Sequence, residues 1–209
     1  MNMNKFSIEA TATNRQYVDG PARVNGDENV HQRYFTYQTA DGALIAGVSC
    51  SVMFTIDRPA RDVWPYLQDF NSWQNASKHY YSGELGKLEG KTFRLSDRPN
   101  DDGPHYYEVV KVIPEYLIVV NQPVPTDGTS AGLPGLGGVS PGFHVFMLNE
   151  HEGRTTVSVM MDHSSISEAK NDQEALKPWR DVVETHWMTK WCDEFIRNLK
   201  ARVREGQAH

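Results

Sequence analysis

Between Val48 and Ile56 apolar and polar side chains alternate: Val48, Cys50, Val52, Phe54 and Ile56 share one parity, and Ser49, Ser51, Met53 and Thr55 the other. A period of two marks a strand with one buried face. The pattern breaks at "DRPARDVWPYLQDFNSW" (57–73). Asp57 predicts a helix cap, and Pro59 suits an early helical position, where its missing N–H costs nothing. Pro65 cannot sit in a long regular helix without a kink, so the stretch predicts two short helices rather than one.

Residues 1 to about 30 are polar and weakly patterned, as expected of an arm on the domain or a partly disordered segment. Asp41-Gly42, between two strand-like runs in "RYFTYQTADGALIAGVSC", is a strong hairpin signal, so the extension is expected to add a strand to the sheet. After the helix pair come "KHYYSGEL", "KTFRLSD", "HYYEVVKVIP", "YLIVVNQPV", "GFHVFMLN" and "RTTVSVMMDHSS", rich in β-branched and aromatic residues. The short links "PE" and "EHEG" predict antiparallel hairpins rather than parallel crossovers. From Glu174 to Val203 the pattern is helical over roughly 45 Å. Trp179, Val183, Trp187, Trp191, Phe195 and Leu199 recur every four residues, a stripe that winds slowly, as suits a helix lying on a twisted sheet. These aromatics read first as core, and some could also floor a cavity.

Composition narrows the picture. A chain of 209 residues can bury a full core, and a net charge of -6 with interspersed signs argues against a nucleic-acid binder. Cys50 and Cys192 are far apart in sequence and read as buried free thiols in a reducing compartment, with a disulfide as the alternative. No apolar signal-peptide run opens the chain and no apolar stretch reaches spanning length, so the expectation is a cytoplasmic protein without a membrane span.

The order of strand, short helix pair, six antiparallel strands and long terminal helix resembles the helix-grip fold of the START-like, birch-pollen-allergen-like superfamily, also called SRPBCC. The motif that carries the resemblance is the strand-to-helix entry, here Ile56, Pro59, Ala60, Val63, Trp64, Leu67, Asp69 and Trp73, followed by "YEVVKVIPEYLIVV" and the Trp-rich terminal helix. The resemblance implies an α+β fold in which a curved antiparallel sheet wraps a long C-terminal helix, with residues 48–205 as the START-like domain and 1–47 as an extension. It also implies an apolar cavity between sheet and helix. The superfamily includes hydrophobic-ligand binders, polyketide cyclases and stress-response modulators, so three functions stay open: a binder of an aromatic or polyketide-like molecule, a cyclase- or dehydratase-type enzyme, and a co-chaperone-type interaction module.

Strand parity nominates the inward residues. A turn at "EHEG" that sets Asn149 near Arg154 puts His144, Phe146 and Leu148 on one face with Thr155, Val157, Val159, Met161 and His163. His144 and His163 then stand four residues apart along the ladder, roughly 13 Å, too far to share a metal unless the strand ends curl. On the preceding hairpin Val110, Val112, Leu117 and Val119 are expected inside, with Tyr106, Glu108 and Asn121 on the same face. A carboxylate in an apolar cavity has its charged form disfavoured, which makes Glu108 a candidate acid or base beside His144. The alternatives are a glutamate reaching solvent and a histidine hydrogen-bonded at a strand end. Trp187 and Trp191 are expected to floor the cavity. The loop "TDGTSAGLPGLGGVSPGFH" (126–144), with six glycines, could cover its mouth through Leu133, Leu136 and Val139 or be a plain insertion.

No His-Glu-x-x-His, Cys-x-x-Cys or Gly-x-Ser-x-Gly motif is present, so no metal and no cofactor are expected. The expected partner is a hydrophobic small molecule, and a hairpin edge in the extension could support a homodimer.

Overall fold

The computed structural model describes residues 15–69, 92–95, 105–122, 142–183 and 191–206. The alternating run becomes β3 (Leu44–Ile56), the longest strand but one and a centre of the sheet. It pairs on one side with β2 (Glu28–Gln38), which pairs in turn with β1 (Gln16–Asn25). On its other side lies β8 (Arg154–Ser167), then β7 (Gly142–His151), β6 (Leu117–Gln122), β5 (His105–Ile113) and β4 (Thr92–Leu95). Every pairing is antiparallel. The extension therefore supplies two strands, β1 and β2, and the β2–β3 turn uses Gly42 at φ 87°, at the expected Asp41-Gly42 position. Five of the six strand candidates are present; "KHYYSGEL" lies outside the described residues.

The helix after β3 differs from expectation. It is one segment, α1 (Ala60–Leu67), that runs through Pro65. In an eight-residue helix a proline at the sixth position removes a single bond, to the carbonyl four residues back, and burial of Ala60, Val63, Trp64 and Leu67 on one face outweighs it. Nor does Asp57 cap it: Asp57 pairs with Arg154, and Glu150 of β7 instead accepts from the Ala60 N–H at 2.8 Å. No second helix begins at Pro65, and the rest of the stretch, 70–73, lies outside the described residues. The terminal helix is described as α2 (Asp172–Val182), with Pro178 inside it, and α3 (Asp193–Glu205). Asn171 caps α2 by accepting from the Glu174 N–H. Val183, Trp191 and Cys192 between them are wound as π-helix.

These helices cover one face of the sheet in two clusters. Around α2, Leu176, Trp179 and Val183 bury against Tyr34, Ala46 and Val48. Around α3, Phe195 packs edge-on to Phe54 at 5.9 Å and against Phe146 at 6.0 Å, with Leu199 and Val203 completing the core. The stripe of apolar residues is thus core, as its spacing implies. On the opposite face Phe35 is fully buried, between Tyr17 and Tyr37 and beneath the Arg15 guanidinium, 4.4 Å from its ring. Its ring lies over Gly47, where a Cβ would stand 2.6 Å from it and 2.2 Å from the His163 carbonyl oxygen.

At the far end of α3, Lys200 ties the helix to the β1–β2 turn through Asp27 at 3.4 Å and Glu28 at 2.9 Å. Partial burial works to raise the Asp27 pKa, but the Thr55 N–H and the Lys200 ammonium outweigh it and hold it below the usual 3.8.

Two outcomes follow. Gly47→Ala should cost about 1–3 kcal/mol of stability in urea unfolding, because backbone or Phe35 must give way; an unchanged midpoint contradicts this packing. A depressed folded-state pKa stabilises above the unfolded value and is lost as pH falls through the folded one. Asp27→Asn should therefore lower stability modestly at pH 7, by about 0.5 kcal/mol for so exposed a group, and leave it unchanged at pH 2. Equal losses at both pH values contradict the assignment.

Candidate functional site

Register across six strands lines up one row on the helix-facing side: Gln32, Cys50, Met161, His144, Val120 and Val109. The next row toward the interior holds Val30, Val52, Val159, Phe146 and Ile118, all fully buried or nearly so. The row on the other side holds Tyr34, Val48, His163 and Gly142. Only a few polar side chains thus interrupt an apolar wall. Among them, His144 and His163 are 5% and 7% exposed and meet Nε2 to Nε2 at 2.8 Å.

The expected faces of the β7–β8 hairpin hold, but the separation of the two histidines does not. The turn is the two-residue Glu152-Gly153, at φ 52° and 74°, so His151 rather than Asn149 stands opposite Arg154. That moves the register by two residues, an even step that keeps every side chain on its face. His144 therefore faces Met161, and His163 faces Gly142, two positions away rather than four. Because Gly142 has no side chain, the His163 ring has room to lean toward His144. Their centroids are 4.9 Å apart with planes inclined by 59°, and His144 also stands edge-on to Phe146 at 6.4 Å.

A neutral imidazole pair joined through Nε2 must use opposite tautomers: one ring donates its Nε2–H, while the other accepts at Nε2 and carries its proton on Nδ1. The arrangement is a hydrogen-bonding and proton-holding point inside an apolar wall.

The other half of the expected site turns outward. Glu108 is exposed, and Asn121, its cross-strand partner, lies on the same convex face; Val109 and Val120 point in instead. Two features reverse the parity. The β5–β6 loop has three residues, Pro114, Glu115 and Tyr116, with Glu115 at φ 61°, where "PE" reads as two, and this odd step turns β6 over. Val110 is an extra residue in β5, a bulge that leaves it 47% exposed while Val112 packs against the core. Leu117 and Val119 accordingly share the outer face, and Glu108 is not brought to His144. Tyr106 is placed in β5 by its backbone. Trp191 is half-buried and stacked on Phe195 at 5.1 Å, while Trp187, Leu136 and the Gly-rich loop lie outside the described residues. Cys50 and Cys192 are free and buried, as expected, yet they meet without a disulfide, their sulfurs 3.9 Å apart in the core. Only the fold across 142 residues joins them, so no local signal could have found the pair.

No family model matches the chain, and no curated protein matches it. Solved structures do. A norcoclaurine synthase point mutant from Thalictrum flavum, in complex with a transition-state analogue, is 12% identical with a TM-score of 0.51, over 77% of this chain and 98% of that one. CalU16 from Micromonospora echinospora is 17% identical with a TM-score of 0.39, over 86% and 96%. The Aha1 dimer from Colwellia psychrerythraea is 18% identical with a TM-score of 0.41, over 76% and 98%. At such identities the likeness is one of fold alone: an antiparallel sheet packed on a C-terminal helix, the helix-grip fold. Among the described residues no helix is long and apolar enough to cross a membrane.

The placement of the candidates gives an expected contrast. Glu108→Gln should change stability by no more than about 0.5 kcal/mol, as exposed sites do. His163→Leu should cost about 1–3 kcal/mol by removing a hydrogen bond from the buried His144. Urea unfolding of both variants reads this, and a larger loss at Glu108 than at His163 contradicts the assignment of faces.

Proposed function

We propose that this protein binds a hydrophobic small molecule, aromatic or polyketide-like, between its sheet and its C-terminal helix, with His144 and His163 as the polar anchor. The observation that supports this is the hydrogen-bonded histidine pair set in a wall of Phe146, Val159 and Met161. Ligand sites of this kind are mostly apolar, with a small number of convergent polar groups that fix orientation. The likeness in fold to a norcoclaurine synthase holding a transition-state analogue supports a small-molecule occupant. A hydroxyl or carbonyl on the ligand is the complement to the imidazoles, whereas a pure hydrocarbon leaves them without a role. Trp187, Trp191 and Leu136 belong to this reading as further lining, whereas Tyr106 shares the parity of Glu108 in β5 and drops out of it.

The same pair favours a second reading, a cyclase- or dehydratase-type enzyme, because adjoining imidazoles can relay a proton to and from a bound ligand. Binding stands first because Glu108, the other acid-base candidate, is exposed on the convex face.

A panel of phenolic and polycyclic aromatic ketones, titrated against tryptophan fluorescence, tests both. The wild type should bind members carrying a hydroxyl or carbonyl, and His144→Leu and His163→Leu should each weaken that binding about tenfold, the scale of one buried hydrogen bond. Variants that bind as well as the wild type refute the anchor. Retained binding with lost conversion of the ligand, followed by mass spectrometry, selects the enzyme.

A further inference from the structure

Cys50 and Cys192 take no part in that reading. Cys50 lies on β3, and Cys192 sits in the π-wound turn before α3; both are fully buried, and their sulfurs are 3.9 Å apart. That is far beyond a disulfide's length of about 2.05 Å. It is, however, the separation of two thiolates on one ion: donors about 2.3 Å from a metal and this far apart subtend about 115° at it. The sulfur–sulfur distance would therefore not have to change for an ion to bridge the pair.

A second, independent observation points to the same place. Gln32 faces Cys50 across the β2–β3 ladder and is fully buried. Its Nε2 donates to Cys50 Sγ at 3.7 Å, and its Oε1 has no hydrogen-bond partner among the described residues. A carboxamide oxygen left so in a core is costly. Rotating the carboxamide by half a turn exchanges Nε2 for Oε1 at the sulfur and offers an oxygen to anything bound there. Met161 stands opposite Cys50 on its other side and adds a polarisable neighbour on the same face.

We propose that Cys50 and Cys192 form a soft-metal site for copper(I) inside the core, with the Gln32 carboxamide as a weak third ligand. Thiolates select soft ions, and among the described residues no further His, Cys, Asp or Glu joins the pair to complete the four-ligand set that zinc prefers. Copper(I) accepts two or three ligands. Loading breaks both S–H bonds and forms two Cu–S bonds; both protons go to solvent, and neither copper nor sulfur changes oxidation state. Without the ion, the hydrogen bond to Cys50 and burial push the Cys192 thiol up, so Cys192 rests as a thiol. The closed position makes uptake slow, and loading is best done by refolding the full chain in the presence of the ion.

The test uses the reduced full-length protein, refolded with the copper(I) bicinchoninate complex as donor. The protein should withdraw one equivalent of copper, read as loss of the probe's absorbance. Cys50→Ser and Cys192→Ser should each weaken withdrawal at least a hundredfold. Copper K-edge absorption on the loaded wild type should show two sulfur scatterers at about 2.2–2.3 Å, the metal–thiolate length. This readout stands even where a cysteine variant fails to fold. Gln32→Leu keeps both thiols and should bind several-fold more weakly. No withdrawal by the wild type overturns the proposal. So does withdrawal that survives in folded cysteine variants, or a shell of nitrogen alone, which would assign the ion to the histidine pair.

Discussion

The pairing of β8 between β3 and β7 is the constraint on which the rest of this structure depends. Through it Met161 meets both Cys50 and His144, Val159 meets both Val52 and Phe146, and His163 falls opposite Gly142. Sheet register is discrete, and a slip of one residue would turn Val157, Val159, Met161 and His163 to the solvent face together. The tight Glu152-Gly153 turn holds the register on one side, with both residues at positive φ as such a hairpin requires. On the other side the socket over Gly47, filled by Phe35, ties β2 and β3 to the level of His163. Local turn chemistry and one glycine thus set the height at which chemically active side chains meet.

What was legible in the sequence follows from how far each signal travels. The alternation of β3 and the faces of β7 and β8 were readable, because a period of two survives without knowledge of partners. The four-residue stripe on the terminal helix was readable for the same reason. The β5–β6 hairpin was not: valine and isoleucine occupy both parities there, so only loop length could decide the face. Tyr116 belongs to the loop rather than the strand, and Val110 adds a bulge. Both features are backbone choices that apolar residues permit without advertising. The meeting of the two histidines failed to show for a subtler reason, since the faces were right and only an even shift of register separated 13 Å in expectation from direct contact. Pro65 shows the opposite limit, where burial of Val63, Trp64 and Leu67 overrides a local helix-breaking rule.

The inner face carries two kinds of polar group with different consequences. His144 and His163 hydrogen-bond one another and interrupt the wall beside Phe146, where the proposed ligand would gain most from a polar contact. Cys50 and Cys192 belong to the Phe195 cluster, with Gln32 against Cys50, and the three have no evident use for a ligand entering between sheet and helix. An apolar replacement at each of these positions would pack as well, and a polar side chain kept in such a core is costly to desolvate. The proposed anchor for an organic molecule and the proposed pair of soft donors are therefore distinct, although both lie on or beside one row of the sheet.

The most direct test of the central claim is native mass spectrometry of the freshly purified protein, followed by organic extraction and identification of whatever accompanies it. The account predicts a hydrophobic molecule bearing a hydroxyl or carbonyl, held at one per chain and absent from protein with His144 and His163 both replaced by leucine. Wild-type protein that carries nothing, and whose melting temperature stays fixed across aromatic and polyketide-like compounds, would contradict it.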